Sequence, residues 1–415
     1  MPALRLAVPL AVTLLACLGL TACQPGQFLA VKRNAETLDA LSALHGSVDT
    51  AAEDPAKVLV VALDADGEKV RNYAPLDSGK RFLMRVEQAH TYQVVVMVDR
   101  NGNGRLDAGE PALLSPAPHT ARQGAPALAL SLRAGAAASA NDALRHKLAA
   151  LADTPRQELP LTVGQITGFD NPAFNHETGK RGLWAPADFL VEVGGGLYLL
   201  EPHDPKRIPV LFVHGAGGHP GEWQTLAQGL DRSRYQVWLA FYPSGARLER
   251  IADMLQAMVS SMRARTGLTQ MIVVAHSMGG LVSRGMLQGI AAAEPGLRLR
   301  QFISISTPWS GHSAAKYGVE FAPATVPSWI DMQENSPFQQ AIFARPLPAG
   351  TDYALLFSYA GSNGGDGVVS LASELRGEAQ REARLVRGFN ENHTSILRSA
   401  EVQQTLAAVL DGKDR

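Results

Sequence analysis

The chain has 415 residues, 46% of them apolar, with 38 Lys and Arg set against 39 Asp and Glu. That length points to two or three domains whose cores the apolar fraction can readily supply. A near-neutral balance without any basic run argues against nucleic acid as a partner.

From Leu6 to Leu20 an apolar stretch follows the lone Arg5 and is broken by Pro9 and Thr13. It is short for a membrane span and predicts a signal peptide over residues 1–22. Its end, Leu20-Thr21-Ala22-Cys23, resembles a bacterial lipobox. The resemblance implies that Cys23 becomes the lipid-bearing first residue after cleavage. In a Gram-negative host, Gln24 in place of an aspartate implies sorting to the outer membrane, so the expected location is the cell envelope, facing periplasm or surface. The alternative is a plain secretory signal with an incidental cysteine. Acyl chains supply about 0.8 kcal/mol per buried methylene, so a multiply acylated cysteine holds firmly. The chain has two cysteines and Cys17 lies in the removed part, so the mature protein is expected to stand on its cores without a disulfide. Loss of Arg5 leaves 37 cations against 39 anions, a net charge of −2.

Residues 23–55 read as a tether with a short amphipathic piece around Leu38 to Leu44. Over 56–135 the pattern turns to β, with strands expected at Val58–Leu63, Phe82–Val86, Tyr92–Val98 and Leu128–Leu132. Gly, Asp and Pro clusters separate them, and a small β-sandwich is the simplest packing. Within it, Asp99-Arg100-Asn101-Gly102-Asn103-Gly104-Arg105-Leu106-Asp107-Ala108-Gly109-Glu110 fits a twelve-residue calcium-loop template. Oxygens of Asp99, Asn101, Asn103, Asp107 and Glu110 would wrap one cation, with Gly104 at the turn position. The flanks do not match an EF-hand, since a β-run precedes the loop and Pro111 follows it. A structural calcium ion is one reading; a polar turn whose Asx side chains bond their own backbone is the other. Residues 136–194 are expected to connect the domains, through a small-residue linker at Gly135–Ala140 and a helix at Asp142–Ala152.

From residue 195 to 415 strands alternate with helical patterns, which predicts a mostly parallel α/β sheet with functional groups at its carboxyl edge. Gly196–Leu200 and Val210–Val213 are expected to be adjacent strands. The run Ile208–Val213 ends in His214-Gly215-Ala216-Gly217-Gly218, a loop that can turn a backbone N–H into a site. Tyr235–Phe241 is the next strand, followed by a helix with Ile251, Leu255, Met258, Val259 and Met262 on one sheet-facing side. Trp223 and Tyr242 follow strands on the same edge and are candidate pocket walls. Met271–Val274 then leads into Ala275-His276-Ser277-Met278-Gly279-Gly280. A serine flanked by small residues on a sharp strand-to-helix turn stands clear of the backbone, as a nucleophile must. An ordinary turn with a surface serine is the bland alternative. The amides of Ala216 and Met278 could form an oxyanion hole, helped by the positive end of the following helix dipole. Neither the Lys-Ser/Thr of a P-loop nor the spaced glycines of a dinucleotide site are present.

Phe302–Ile305 is the next strand, and the insertion at 312–350, with Trp329, Ile330, Phe338 and Phe343, is expected to cap an acyl pocket or to join the core. Asp352–Tyr359 reads as a strand, with Asp366 on the loop beyond it. Leu385-Val386 is a short final strand, and Phe389-Asn390-Glu391-Asn392-His393-Thr394 follows. The order serine, acid, histidine selects Asp366 and His393 as orienter and base. His312 is the rival base, His214 and His276 are expected to serve their own loops, and Asp331 and Glu374 are fallback acids that read as solvated charges.

With these motifs in order, residues 195–410 resemble the α/β-hydrolase superfamily, and within it bacterial lipases and carboxylesterases. Thr307-Pro308-Trp309-Ser310-Gly311 resembles the segment leaving the sixth strand in lipases. The usual G-x-S-x-G carries Ala275 for its first glycine, as in some lipases. The resemblance implies an α/β-hydrolase fold and a Ser277–Asp366–His393 hydrolase acting on carboxylic, lipid-like esters through an acyl-enzyme, without a catalytic cofactor. Transfer of the acyl group to a lipid or polymer, and an inert envelope-binding module, are the alternatives.

Overall fold

The computed structural model describes residues 25–76, 80–122, 127–133, 142–156, 161–294, 296–361 and 364–413. The expected signal peptide, Cys23, Gln24 and the Gly135–Ala140 linker lie outside them. Two compact units emerge, Glu36–Pro160 with Ser261–Gly267, and Leu161–Ser260 with Leu268–Arg415 and the N-terminal segment up to Ala35. Among the described residues no helix is long and apolar enough to cross a membrane.

The segment read as a tether is structured. Helix α1 spans Pro25–Asp39, and strand β1 spans Leu41–Asp49. The Asn34 side chain accepts the amides of Ala187 and Asp188 at 2.8 and 2.9 Å. Strand β1 buries Leu44, Gly46 and Val48 and exposes the residues between them, the period of a half-buried strand. Gly46 is required there, because a Cβ would run into the backbone of Leu128 on the neighbouring strand.

The smaller unit continues with β2 (Val58–Leu63), β3 (Val70–Pro75), β4 (Arg81–Glu87), β5 (Thr91–Val98), β6 (Ala112–Leu114), β7 (His119–Thr120) and β8 (Leu128–Ser131). One sheet has the order β4-β1-β8; the other runs β3-β2-β5-β6, with β7 pairing β5. Leu44, Val48 and Phe82 from the first meet Val60, Val94 and Val96 from the second in one apolar cluster, the packing of a sandwich. The outer face of the second sheet is not left to water. Leu144 and Leu148 of α2 (Asp142–Leu148), with Leu151, cover Val61, Leu63, Val95 and Met97. That helix, read as part of a connector, therefore completes this unit.

After its N-terminal segment the larger unit resumes at β9 (Leu161–Ile166), well before the expected boundary at 195. That strand pairs in parallel with β10 (Gly195–Leu199), and α3 (His176–Trp184) and α4 (Pro186–Glu192) lie between them in the chain. Next come β11 (Ile208–Val213), α5 (Gln224–Gln228), β12 (Tyr235–Phe241), α6 (Leu248–Thr266), β13 (Gln270–His276), α7 (Met278–Ala293) and β14 (Arg298–Ile305). Three short helices follow, α8 (Ser313–Phe321), α9 (Pro327–Met332) and α10 (Pro337–Phe343). The unit closes with β15 (Asp352–Ser358), α11 (Leu371–Glu374), α12 (Gly377–Glu382), β16 (Leu385–Phe389) and α13 (Ala400–Asp411).

The eight-stranded sheet has the order β16-β15-β14-β13-β11-β12-β10-β9. Only the β10–β12 pair is antiparallel. The expectation that β10 and β11 are neighbours is thus corrected, since β12 lies between them. Central strands β11, β12 and β13 are apolar almost without interruption because helices cover both faces. Phe212, Trp223, Leu226, Leu406 and Val409 pack one side. The expected stripe on α6, with Ile251, Leu255, Met258, Val259 and Met262, is buried throughout.

Candidate active site

Ser277 stands between the last residue of β13 and the first of α7, with φ 53° and ψ −131°. A non-glycine residue is rarely held there, and the conformation costs on the order of 1–3 kcal/mol. The flanks hold it, for the Ser277 amide donates to the Ile305 carbonyl at 2.8 Å and Gly280 N–H returns to Ser277 O at 2.9 Å. Gly279 explains the need for small residues: a Cβ there would strike the carbonyl oxygens of Val213 and His214. Ala275, in place of the first glycine, fits its methyl into full burial.

Ser277 Oγ lies 2.9 Å from His393 Nε2, and His393 Nδ1 lies 2.5 Å from Asp366 Oδ2. The chain brings together three side chains from 116 and 27 residues apart. All three are buried, with exposures of 9, 8 and 1% for Ser277, His393 and Asp366. The His393 amide also donates to the Asp366 carbonyl at 3.0 Å, so backbone and side chain fix the same pair. Burial acts to raise the Asp366 pKa, but the His393 hydrogen bond and charge and the amides of Val369 and Val368 outweigh it. Asp366 is therefore held below the usual carboxylate range, ionised and aimed at Nδ1.

The glycine-rich loop after β11 lies against the serine. A Cβ on Gly215 would come within 2.9 Å of Ser277 Cβ. Gly217, at φ 66°, donates its amide to Ser244 Oγ at 2.9 Å, and Gly218 N–H bonds Gly215 O at 3.2 Å. Among the described residues the amides of Ala216 and Met278 have no hydrogen-bond partner.

The other histidines serve the frame. His214 is stacked on Tyr242 at 4.0 Å; its Nδ1 meets Gly215 O at 2.8 Å and its Nε2 accepts the Tyr242 amide at 3.3 Å. Burial brings its pKa down to about 3, so it is a neutral brace. His276 is likewise lowered to about 3, by burial first and then the His393 charge. His312, the rival base, accepts the Ala314 amide at 3.0 Å and caps α8.

The fallback acids are not solvated charges, since Asp331 and Glu374 are each 1% exposed. Asp331 takes Arg247 Nε at 2.9 Å, Nη2 at 2.7 Å and the Leu248 amide at 2.8 Å, tying α9 to the start of α6. Trp223 is core against Phe212, and Tyr242 lies behind the loop on His214, so neither is a pocket wall of the kind expected. In the insertion, Trp329 meets Trp184 edge-on at 5.5 Å. Phe343 instead packs on Trp309, between the guanidinium groups of Arg284 and Arg376.

Sequence reasoning missed a layer beneath the acid. Ser358 Oγ donates to Asp366 Oδ2 at 3.2 Å, and Ser306 Oγ lies 2.6 Å from Ser358 Oγ. Glu374 Oε2 accepts the Ser358 amide at 3.2 Å. The available signal was position: Ser306 follows β14 directly and Ser358 ends β15, both at the carboxyl edge of the sheet.

In the smaller unit the twelve-residue loop is satisfied internally. Asp99 accepts the amides of Gly102, Asn103 and Gly104, and Glu110 those of Arg100 and Asp107. The Asp107 carboxylate takes the side-chain amides of Asn101 and Asn103 at 2.7 and 2.8 Å. Among the described residues no group of three or more His, Cys, Asp or Glu stands together as a metal site.

A family model described as the alpha/beta hydrolase fold matches residues 208–339. Among solved structures, a mature Bacillus licheniformis lipase, BlEst2, is similar at 18% identity and a TM-score of 0.43, over 52% of this chain and 97% of that one. A gene product of Listeria innocua gives 16% identity and a TM-score of 0.41, over 49% and 94% of the two chains. Aspergillus fumigatus lipase B gives 15% identity and a TM-score of 0.41, over 52% and 56%. No curated protein matches. The larger unit has the alpha/beta hydrolase fold, as expected, with a separate sheet unit before it.

Proposed function

We propose that this chain is a serine hydrolase of carboxylic esters, with Ser277 as nucleophile, His393 as general base and Asp366 as its orienter. The observation that carries the reading is the continuous relay Ser277 Oγ–His393 Nε2–His393 Nδ1–Asp366 Oδ2, at 2.9 and 2.5 Å.

With Asp366 ionised, His393 keeps its proton on Nδ1 and offers the Nε2 lone pair to the Ser277 hydroxyl. As Oγ attacks the ester carbonyl its proton passes to Nε2, and Asp366 stabilises the resulting imidazolium. The carbonyl oxygen becomes an oxyanion facing the amides of Ala216 and Met278, at the positive end of α7. The imidazolium then gives its proton to the leaving alcohol, and an acyl group remains on Ser277. Water activated by His393 releases the acid and restores the serine. Loss of one oxyanion donor typically costs about 10²–10³ in turnover.

Ser277→Ala is the direct test. It should abolish hydrolysis of p-nitrophenyl esters and labelling by a fluorophosphonate, with the melting temperature unchanged. Undiminished turnover in that variant overturns the reading. Product analysis with competing alcohols separates hydrolysis from acyl transfer, and a panel of acyl lengths from two to eighteen carbons assigns a lipid-like substrate.

The lipid anchor at Cys23 and the calcium ion in the accessory loop belong to the same proposal. The lipobox-like Leu20-Thr21-Ala22-Cys23 supports the first, and Cys23→Ala should end incorporation of labelled palmitate and release the protein from envelope membranes. The spacing of Asp99, Asn101, Asn103, Asp107 and Glu110 supports the second. Absence of calorimetric heat on addition of millimolar calcium to the whole protein rules it out.

A further inference from the structure

We propose that Glu374 is a positioning residue, a neutral carboxylic acid that, with Ser358, supports Asp366 and keeps its carboxylate aligned on the imidazole. The inference rests on the serine-hydrolase reading and adds a fourth group to its machinery.

Glu374 ends α11 and is 1% exposed, although a glutamate almost never lies so deep unpaired. Among the described residues no cation pairs with it. The nearest arginine in sequence, Arg376, directs its guanidinium to Glu378 and to the Trp309 carbonyl. The charged group that faces Glu374 from the neighbouring loop is Asp366, another carboxylate. From β15 and from the end of β14 come neutral groups, the Ser358 amide and the Ser306 hydroxyl. His393 and His312 lie on the Asp366 side, where each interacts with that carboxylate.

Two like-charged carboxylates cannot both ionise in such a place, so one keeps its proton. The partners decide which. Asp366 accepts the amides of Val368 and Val369 at 2.9 and 2.6 Å, the Ser358 hydroxyl, and His393. Glu374 has one main-chain donor, the Ser358 amide on Oε2, with the Ser306 hydroxyl beside it, and among the described residues its buried Oε1 has no hydrogen-bond donor. An oxygen in that position carries the proton and can donate it to the neighbouring anion. Burial, and then the Asp366 charge, push the Glu374 pKa up to about 9, in the same sense.

A protonated Glu374 therefore adds a donor to Asp366 without adding charge, so the imidazolium formed during attack still meets a full negative charge. Above its pKa, Glu374 becomes a second anion, repels Asp366, and disturbs the alignment. The wild-type enzyme should lose kcat on the alkaline side around pH 9. Gln has the shape of the protonated acid, also donates, and does not titrate.

The experiment compares wild type, Glu374→Gln and Glu374→Leu in full-length protein, by fluorophosphonate labelling and ester kinetics from pH 6 to 10. Glu374→Leu should lower kcat at least tenfold with KM changed less than twofold. Glu374→Gln should restore most of kcat and move the alkaline limb upward by a pH unit or more. If the leucine variant does not fold, the glutamine variant's alkaline limb decides. Wild type that takes no label overturns the hydrolase reading itself. Labelled wild type whose glutamine variant keeps the same alkaline limb overturns the positioning role alone, as does a folded leucine variant with full kcat.

Discussion

His276, the residue just before the serine, holds the residue whose ring bonds that serine: its Nε2 lies 2.8 Å from the backbone carbonyl of His393. The two rings stand 4.7 Å apart. Since His276 is neutral, Nε2 is the donor and the His393 backbone is anchored to the end of β13 by one hydrogen bond. Ser277 and His393 are thus registered to the same strand end.

Removing that donor should leave the His393 carbonyl unpaired and let the imidazole drift. An unmade buried hydrogen bond costs about 1–3 kcal/mol, or roughly 5–150-fold in a rate that depends on the geometry. His276→Phe should lower kcat within that range with little change in KM, and His276→Gln should recover part of it. Steady-state kinetics with one soluble ester checks both.

Glu374 links the site to stability. It ionises at 4.5 in the unfolded chain but at about 9 when folded. Between those values the folded state keeps a proton that the unfolded state has released, so stability falls as pH rises, by roughly a kcal/mol per unit. Glu374→Gln removes this dependence. Its melting temperature should exceed that of wild type at pH 8 and converge with it towards pH 4.5, as calorimetric scans across that range would record.

The meeting of Ser277, Asp366 and His393 was legible in sequence because each follows a strand signal within a few residues. Ser277 comes after an apolar run and before a helix, and Asp366 and His393 sit on loops beyond β15 and β16. The layer beneath them was not. Ser306, Ser358 and Glu374 gather beneath Asp366 only because β14 and β15 are neighbours, and nothing local separates a buried Glu374 from a solvated one. The same distinction runs through the fold. Strong runs such as Tyr92–Val98 and Tyr235–Phe241 were read as strands. By contrast, β1 hides its alternation behind Gly46, and β9 is a half-buried edge strand whose identity depends on its partner β10. The place of β12 between β10 and β11 is a matter of sheet order, which no single segment encodes.

Gly215 tests how closely the oxyanion loop must approach. Its ideal Cβ would lie 2.9 Å from Ser277 Cβ and 3.4 Å from Oγ. Gly215→Ala should push the loop off the serine, displacing the Ala216 amide, and lower kcat by about 10²-fold or more, the scale of losing an oxyanion donor. Fold and melting temperature should change little. Full activity in this variant would remove the loop from the oxyanion hole.

Asp331 and Asp366 offer the sharpest contrast between a buried acid that supports structure and one assigned to chemistry. Both are 1% exposed, and both accept a main-chain amide. Asp331 faces the Arg247 fork, a permanent cation, whereas Asp366 faces the imidazole to which the proposed function gives the role of base. Asp366→Asn should leave the fold intact but favour the wrong imidazole tautomer, lowering kcat by about 10⁴-fold. Asp331→Ala should break the Arg247 fork and open the α6–α9 contact, a loss on the order of 3 kcal/mol in stability. Its kcat at a temperature well below melting should stay within about threefold of wild type, a change below 1 kcal/mol. Denaturant titration and ester kinetics on the two variants separate the effects. The reverse pattern, with Asp331 carrying the rate and Asp366 only the stability, would move the acid of the triad to α9.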